Sequence, residues 1–293
     1  MDLSIIFAQF MSGLARAMIL FLIASGLSLI FGVLQVLNFA HGSLYMLGAF
    51  FTYSLWRIIL LPTLGFYIAT ILAAFLLALV GLVIEVFLLR RIYSRGWADQ
   101  LLATYAIILI VTDIVKMGWG GRFYSVSRPE HLAGSVKLFG SIFPTYYVFV
   151  MLIGVVIVVG LWFFIYRTRI GDIVRASVSN REMVSALGIR VSVLYTGIFV
   201  LGSFLAGLSG GVSGPIGSIS LGMDIEIIIE CFAVVVIGGM GSLPGTLLGS
   251  LIVGEVYAFG ILVAPRLALA FVFIVMAVVL IIRPWGILGR PER

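Results

Sequence analysis

Few residues in this sequence could perform covalent chemistry, and those few are scattered. Gly207-Leu208-Ser209-Gly210-Gly211 matches the G-x-S-x-G pattern of a nucleophilic serine. That pattern needs a strand–turn–helix setting to present its hydroxyl, whereas Ser209 lies inside an apolar, helix-like run. An intramembrane serine protease would instead need a histidine on a neighbouring helix. Both histidines, His41 and His131, precede the serine, and His131 falls in a polar stretch. Ser203, Gly207 and Gly211 recur every four residues, the small-xxx-small spacing that lets helices approach closely in lipid. Packing is therefore the simpler reading. The one cysteine, Cys231, makes no internal disulfide and no Cys-based zinc site, and the two histidines are too far apart to suggest a metal centre. A P-loop needs Gly-Lys-Ser/Thr, but the only lysines, Lys116 and Lys137, each follow a valine. Any ATP-driven function requires a separate ATPase chain.

The acids within apolar runs need a partner or a cavity, because a bare charge in lipid is costly. Glu226 and Glu230 are four apart, hence on one helical face. Glu226 fits the interface, and Glu230 sits deeper and suits a cavity. Glu255 is alone in its span, Asp113 and Lys116 are spaced to pair, and Glu85 lies near a span end. Asn38-Phe39-Ala40-His41-Gly42 places polar and helix-loosening residues in an apolar block. That motif reads either as a polar joint between two helices or as an unwound element lining a path. An aquaporin-like pore would need two Asn-Pro-Ala half-helices, but the chain's other asparagine, Asn180, lies in a polar segment. The run 238–249, GGMGSLPGTLLG, reads as tight packing with a bend, or as a hinge or backbone-lined passage.

The elements that must position these residues follow from composition. The chain has 293 residues, 62% hydrophobic and 10% charged, against about 25% charged in soluble domains. A soluble globule could not hide so much apolar surface, so a soluble enzyme and a disordered chain are excluded. The fold class is all-α: a polytopic transmembrane bundle of about eight to ten spans, some broken. Spans are expected near 10–33, 39–60, 64–89, 99–118, 145–166, 191–212, 225–242, 245–264 and 267–283. The N-terminus lacks a basic region before its first apolar run, so that run reads as a retained anchor. The whole of 1–293 is expected to be one membrane domain.

The net charge of +6 reports orientation rather than nucleic-acid binding. With 90–98, 167–190 and the tail placed inside, that side holds eleven basic residues, including Arg290 and Arg293, against seven on the other. The expected arrangement is N-terminus outside, C-terminus cytoplasmic.

The segment 167–190 is the most informative polar stretch. Ser179 and Glu182 fit a capping box, in which each side chain bonds a free amide of the first helical turn. Gly188 suits the position just past a helix end. The spacing predicts a helix over 180–187, with Met183, Val184 and Leu187 on one face and Arg181 and Ser185 on the other. So short a helix must dock on something, either this protein's own span ends or a cytosolic partner.

Four blocks then resemble one family, the LivH-type permeases of bacterial branched-chain amino acid ABC transporters. They are GLSLIFGVLQVLNFAHGSLYMLGAF (26–50), DIVRASVSNREMVSALGI (172–189), VVVIGGMGSLPGTLLGSLIVG (234–254) and RPWGILG (283–289). Each is weak alone; in this order and spacing they cover nearly the whole chain. The resemblance implies an ABC importer permease fold and alternating access, with no catalysis by this chain. It implies a second, related permease of LivM type, two cytosolic ABC ATPase subunits carrying ATP and Mg, and a periplasmic or lipid-anchored solute-binding protein. It places the chain in the bacterial inner membrane, in contact with lipid and with no nucleic acid. It marks Arg175, Asn180, Arg181, Glu182, Met183, Val184, Leu187 and Gly188 as the ATPase-coupling segment. It sets Asn38, His41, Gly42, Glu230, Gly238, Gly239 and Gly241 near a translocation path. Branched-chain amino acids are the default solute; relatives carry urea, short amides and other small solutes.

Overall fold

Long apolar runs must satisfy their own backbone hydrogen bonds in lipid, and helices do so within one segment. The computed structural model describes residues 3–289 except 60, 62, 94 and 139, and the side chains of 138, 179, 181 and 182 are also outside it. Arg290 and Arg293, counted above toward orientation, lie outside the described residues.

The elements are α1 (Leu3–Leu34), α2 (His41–Ile58), α3 (Gly65–Phe87), α4 (Trp97–Trp119), β1 (Ser135–Leu138), β2 (Ser141–Pro144), α5 (Thr145–Arg167), α6 (Arg169–Ser179), α7 (Arg181–Ala186), α8 (Val191–Ser213), α9 (Met223–Gly238), α10 (Leu243–Val263) and α11 (Ala268–Ile282). Helices occupy all nine stretches expected to span. Among the described residues, seven helical segments are long and apolar enough to cross a membrane. The other two, α2 and α9, are shortened or made polar by His41, Ser43, Asp224, Glu226 and Glu230. The exception to an all-α fold is the antiparallel β1–β2 hairpin, with Ser135 opposite Pro144, in the stretch read as a polar loop.

Helix α1 is the central post. At 32 residues it is about 48 Å long, and its most apolar window is 83% buried. It runs antiparallel to α10: Gly13 faces Gly254 near one end, and Gly32 faces Gly241 near the other. It also runs antiparallel to α8, since Ile19 accepts from Ser209 while Gly26 meets Gly202. The small stripe of α8 packs on α3. Ser203 lies against Gly81, Gly207 against Leu77, and Gly211 against Thr70. Outward faces of α3, α4, α5 and α11 expose Phe75, Ile110, Val156 and Ile281, as surfaces meeting lipid or another membrane protein do.

Candidate functional site

The first polar block forms a joint. Helix α1 ends at Leu34, Gln35 takes a left-handed φ of 56°, and the chain stays non-helical to Ala40 before α2 begins. The fully buried His41 bonds through Nε2 to the carbonyl of Ile23, at 3.0 Å. Because Ile23 is well inside α1, α2 starts beside the middle of α1 rather than at its end. The Ser43 hydroxyl donates to the Asp224 carboxylate at 3.0 Å, and Gly42 faces Asp224 and Ile228, so α9 closes the joint. The side-chain amide of Asn38 is fully buried with neither its nitrogen nor its oxygen partnered, and His41 Nδ1 is also unpartnered. Asn38, His41 and Gly42 line none of the three described cavities.

Glu230 does line a cavity, and it has a counter-charge that sequence spacing did not reveal. Arg16 Nη2 lies 2.5 Å from Glu230 Oε1. The two residues are 214 positions apart. Their cavity of about 290 Å³ also takes in Tyr45, Ser213 and Glu226. The Tyr45 hydroxyl donates to Ser213 at 2.7 Å. Glu255 lies against Gly13, with both carboxylate oxygens unpartnered. Asp113 and Lys116 do not form an ion pair among the described residues; both are exposed, contrary to the expected pairing. Glu85, expected at an interface, is fully buried; it accepts from Thr196 at 2.7 Å and pairs with Arg90 at 3.3 Å. Tyr93 donates to it at 3.3 Å, and burial, then the Glu85 charge, pushes the Tyr93 hydroxyl up.

The second glycine block is a sharp turn between α9 and α10. Gly239 and Gly241 take φ of 105° and 77°, a region that side chains resist. The C-terminal segment folds back onto this turn: Ile287 N–H donates to Ile237 O and Leu288 N–H to Gly238 O, at 2.9 and 3.0 Å. Ser242 caps α10 by accepting from Gly245 N–H at 3.1 Å. Gly241 and Leu288 border a cavity of about 670 Å³ that the end of α1 and α6 also line.

The polar segment holds two helices where one was expected. Helix α6 is capped by Thr168, whose hydroxyl oxygen accepts from Gly171 N–H at 3.1 Å. Arg175 in α6 pairs with Asp172 at 2.6 Å, donates to the Ile165 carbonyl and lies 5.1 Å from the Tyr166 ring centre. It therefore ties α6 to the end of α5. Helix α7 is Arg181–Ala186, shorter than the expected 180–187, and its cap is Asn180, which accepts from Met183 N–H at 2.9 Å. Asn180 won the cap because it directly precedes the helix with extended backbone (φ −158°), while Ser179 already belongs to α6. The reciprocal Ser179–Glu182 box and the Arg181 side chain lie outside the described residues. Gly188 takes φ of 81°, as expected past a helix end. The expected apolar face divides: Val184 is buried, whereas Met183 and Leu187 are 59% and 73% exposed.

Ser209 lacks the exposed setting that a nucleophile elbow provides. It is fully buried, and its hydroxyl donates to the carbonyl of Ile19 at 3.1 Å, which joins α8 to α1. Among the described residues no cluster of three or more His, Cys, Asp or Glu could hold a metal.

Comparison with known proteins bears on this arrangement. The family described as "Branched-chain amino acid transport system / permease component" matches residues 9–280. The high-affinity branched-chain amino acid transport permease BraD of Pseudomonas aeruginosa is 27% identical, over 97% of this chain and 96% of its own. LivH of Salmonella typhimurium is 26% identical with the same coverage. Among solved structures, PsaBC of Streptococcus pneumoniae in complex with Fab superposes with a TM-score of 0.47 at 13% identity, covering 92% of this chain and 89% of that one.

Proposed function

The chain belongs to the branched-chain amino acid transport permease family, and from that premise we propose that it is the membrane subunit of a binding-protein-dependent ABC importer. The single observation that carries the reading is the division of the α7 face. Val184 anchors the helix to its own chain and leaves Met183 and Leu187 exposed, uncovered by any described part of that chain. An exposed apolar pair at the tip of an anchored helix is suited to a groove in a second protein.

On this reading the α6–α7 end faces the cytoplasm, the C-terminus lies on the same side, and the N-terminus lies outside in an inner-membrane setting. Two ATPase subunits, holding ATP and Mg, grip α7. A periplasmic or lipid-anchored binding protein docks at the hairpin end, and a second, LivM-type permease covers part of the exposed apolar faces. Closure of the ATPase dimer moves α7, and α6 carries the motion to α5 through Arg175. The two permeases rock between outward and inward states. Asn38, His41, Gly42, Glu230 and the glycines at 238, 239 and 241 belong near the moving path, where buried polar atoms without partners can meet solute or water. The solute is a branched-chain amino acid or a similar small molecule, and this chain breaks no covalent bond.

The test is reconstitution in liposomes with both ATPases, the second permease and the binding protein. Uptake of leucine, isoleucine or valine should require every component and ATP. Equal flux with the ATPases omitted would overturn the reading in favour of a passive channel.

A further inference from the structure

The cavity beside Arg16 carries more charge than packing alone requires. Arg16 Nη2 bonds Glu230 Oε1, and its guanidinium carbon lies 3.6 Å from the centre of the Tyr257 ring. Yet Arg16 Nε and Glu230 Oε2 are both buried without a partner, and only 7% of the Glu230 side chain is exposed. Glu226, one helical turn before Glu230, is exposed and borders the same space, so a second carboxylate lies at the cavity's edge. Ile19, Leu20, Ile216 and Ile227 supply an apolar wall. The volume, about 290 Å³, sits at the small end of ligand cavities, which start near ~300 Å³. Glu230 is buried and the Arg16 side chain is 35% exposed, and a buried bonding atom left unused on each is costly unless a third group can use it.

We propose that this cavity is a transit site for a zwitterionic α-amino acid with an apolar side chain. The solute carboxylate bonds Arg16, its ammonium bonds Glu230 and Glu226, and its aliphatic side chain lies against Ile19 and Ile227. The assignment deepens the import reading above and rests on it. Entry is an exchange of ion pairs. In the empty site Arg16 and Glu230 neutralise each other, and the zwitterion inserts so that each charge trades one partner for another. No net charge is added within the membrane, and no bare charge is exposed on the way. Breaking the resident pair keeps affinity low, as a transit site requires. A neutral solute such as urea offers no charges for this exchange.

The experiment uses the complete reconstituted importer, with radiolabelled leucine as probe and co-purification of the ATPases as the check on assembly. Ile227→Phe fills the apolar wall and leaves the ion pair intact; it should lower uptake roughly tenfold or more while the complex assembles. Glu230→Gln should lower uptake at least as far. Arg16→Glu combined with Glu230→Arg rebuilds a pair of reversed polarity. If the pair reads the zwitterion, this double variant assembles but does not regain transport. Wild-type transport by Ile227→Phe, or rescue of transport by the charge reversal, would overturn the site and leave the importer reading standing. A wild-type complex that takes up no amino acid would overturn the importer reading, and the ligand assigned to this cavity with it.

Discussion

Val184 and Leu187 lie three positions apart at the end of α7, yet Val184 is 2% exposed and Leu187 is 73% exposed. Val184 is the anchor, and on the import reading Leu187 is the contact. Leu187→Asp should therefore leave membrane insertion and folding unchanged but weaken ATPase capture, lowering uptake roughly tenfold or more, in the range of an interface hot spot. Co-purification of the ATPases with the variant measures this directly. Full capture by Leu187→Asp would reduce α7 to a connector.

Gly48 tests the packing beneath the joint. A Cβ there would lie 2.6 Å from Gly207 Cα, closer than real atoms approach, and the obstacle is backbone. Gly48→Ala must push α2 from α8. The expected loss is about 1–3 kcal/mol, typical of overpacking, read as a lower midpoint of thermal unfolding in detergent. Gly118→Ala, with nothing within 4 Å of its added Cβ, is the matched control and should unfold near the wild-type midpoint.

The positions of nine helices could be read from run length because crossing a membrane is a local requirement on sequence. The break at 35–40 was legible for the same reason: Gln35, Asn38 and His41 interrupt an apolar run. Where α2 goes after that break was not legible, since its docking at Ile23 is a tertiary contact. Nor was the Arg16–Glu230 pair, whose members share no helix and no spacing rule. The face of α7 shows a subtler limit. Met183, Val184 and Leu187 do have helical spacing, but the helix stops at Ala186, so Leu187 lies at its end and escapes burial. Periodicity measures which residues align, and a six-residue helix is too short for alignment to fix which of them is covered.

Ser209 provides a second contrast between pattern and setting. Among the described residues its hydroxyl makes one hydrogen bond, across α8 and α1, and such bonds within membranes average about 0.6 kcal/mol. Ser209→Ala should leave uptake close to wild type and shift thermal stability only slightly. A collapse of activity with intact assembly would mean that the hydroxyl does chemistry after all.

The C-terminal clip makes the last prediction. Gly286 has φ of 79°, and a Cβ there would lie 2.5 Å from the backbone nitrogen of Gly239, which itself has φ of 105°. Two glycines thus meet face to face where 283–289 folds onto the α9–α10 turn. Gly286→Val cannot keep that backbone without strain and collides with Gly239, so the segment should peel away and release the bonds from Ile287 to Ile237 and Leu288 to Gly238. A cysteine placed at the exposed Met240 reports on the turn, since the native Cys231 is buried and should label slowly. Adding Gly286→Val to Met240→Cys should speed maleimide labelling at position 240 several-fold, as expected when a local unit opens. An unchanged labelling rate would show that α9 and α10 hold their turn without the tail.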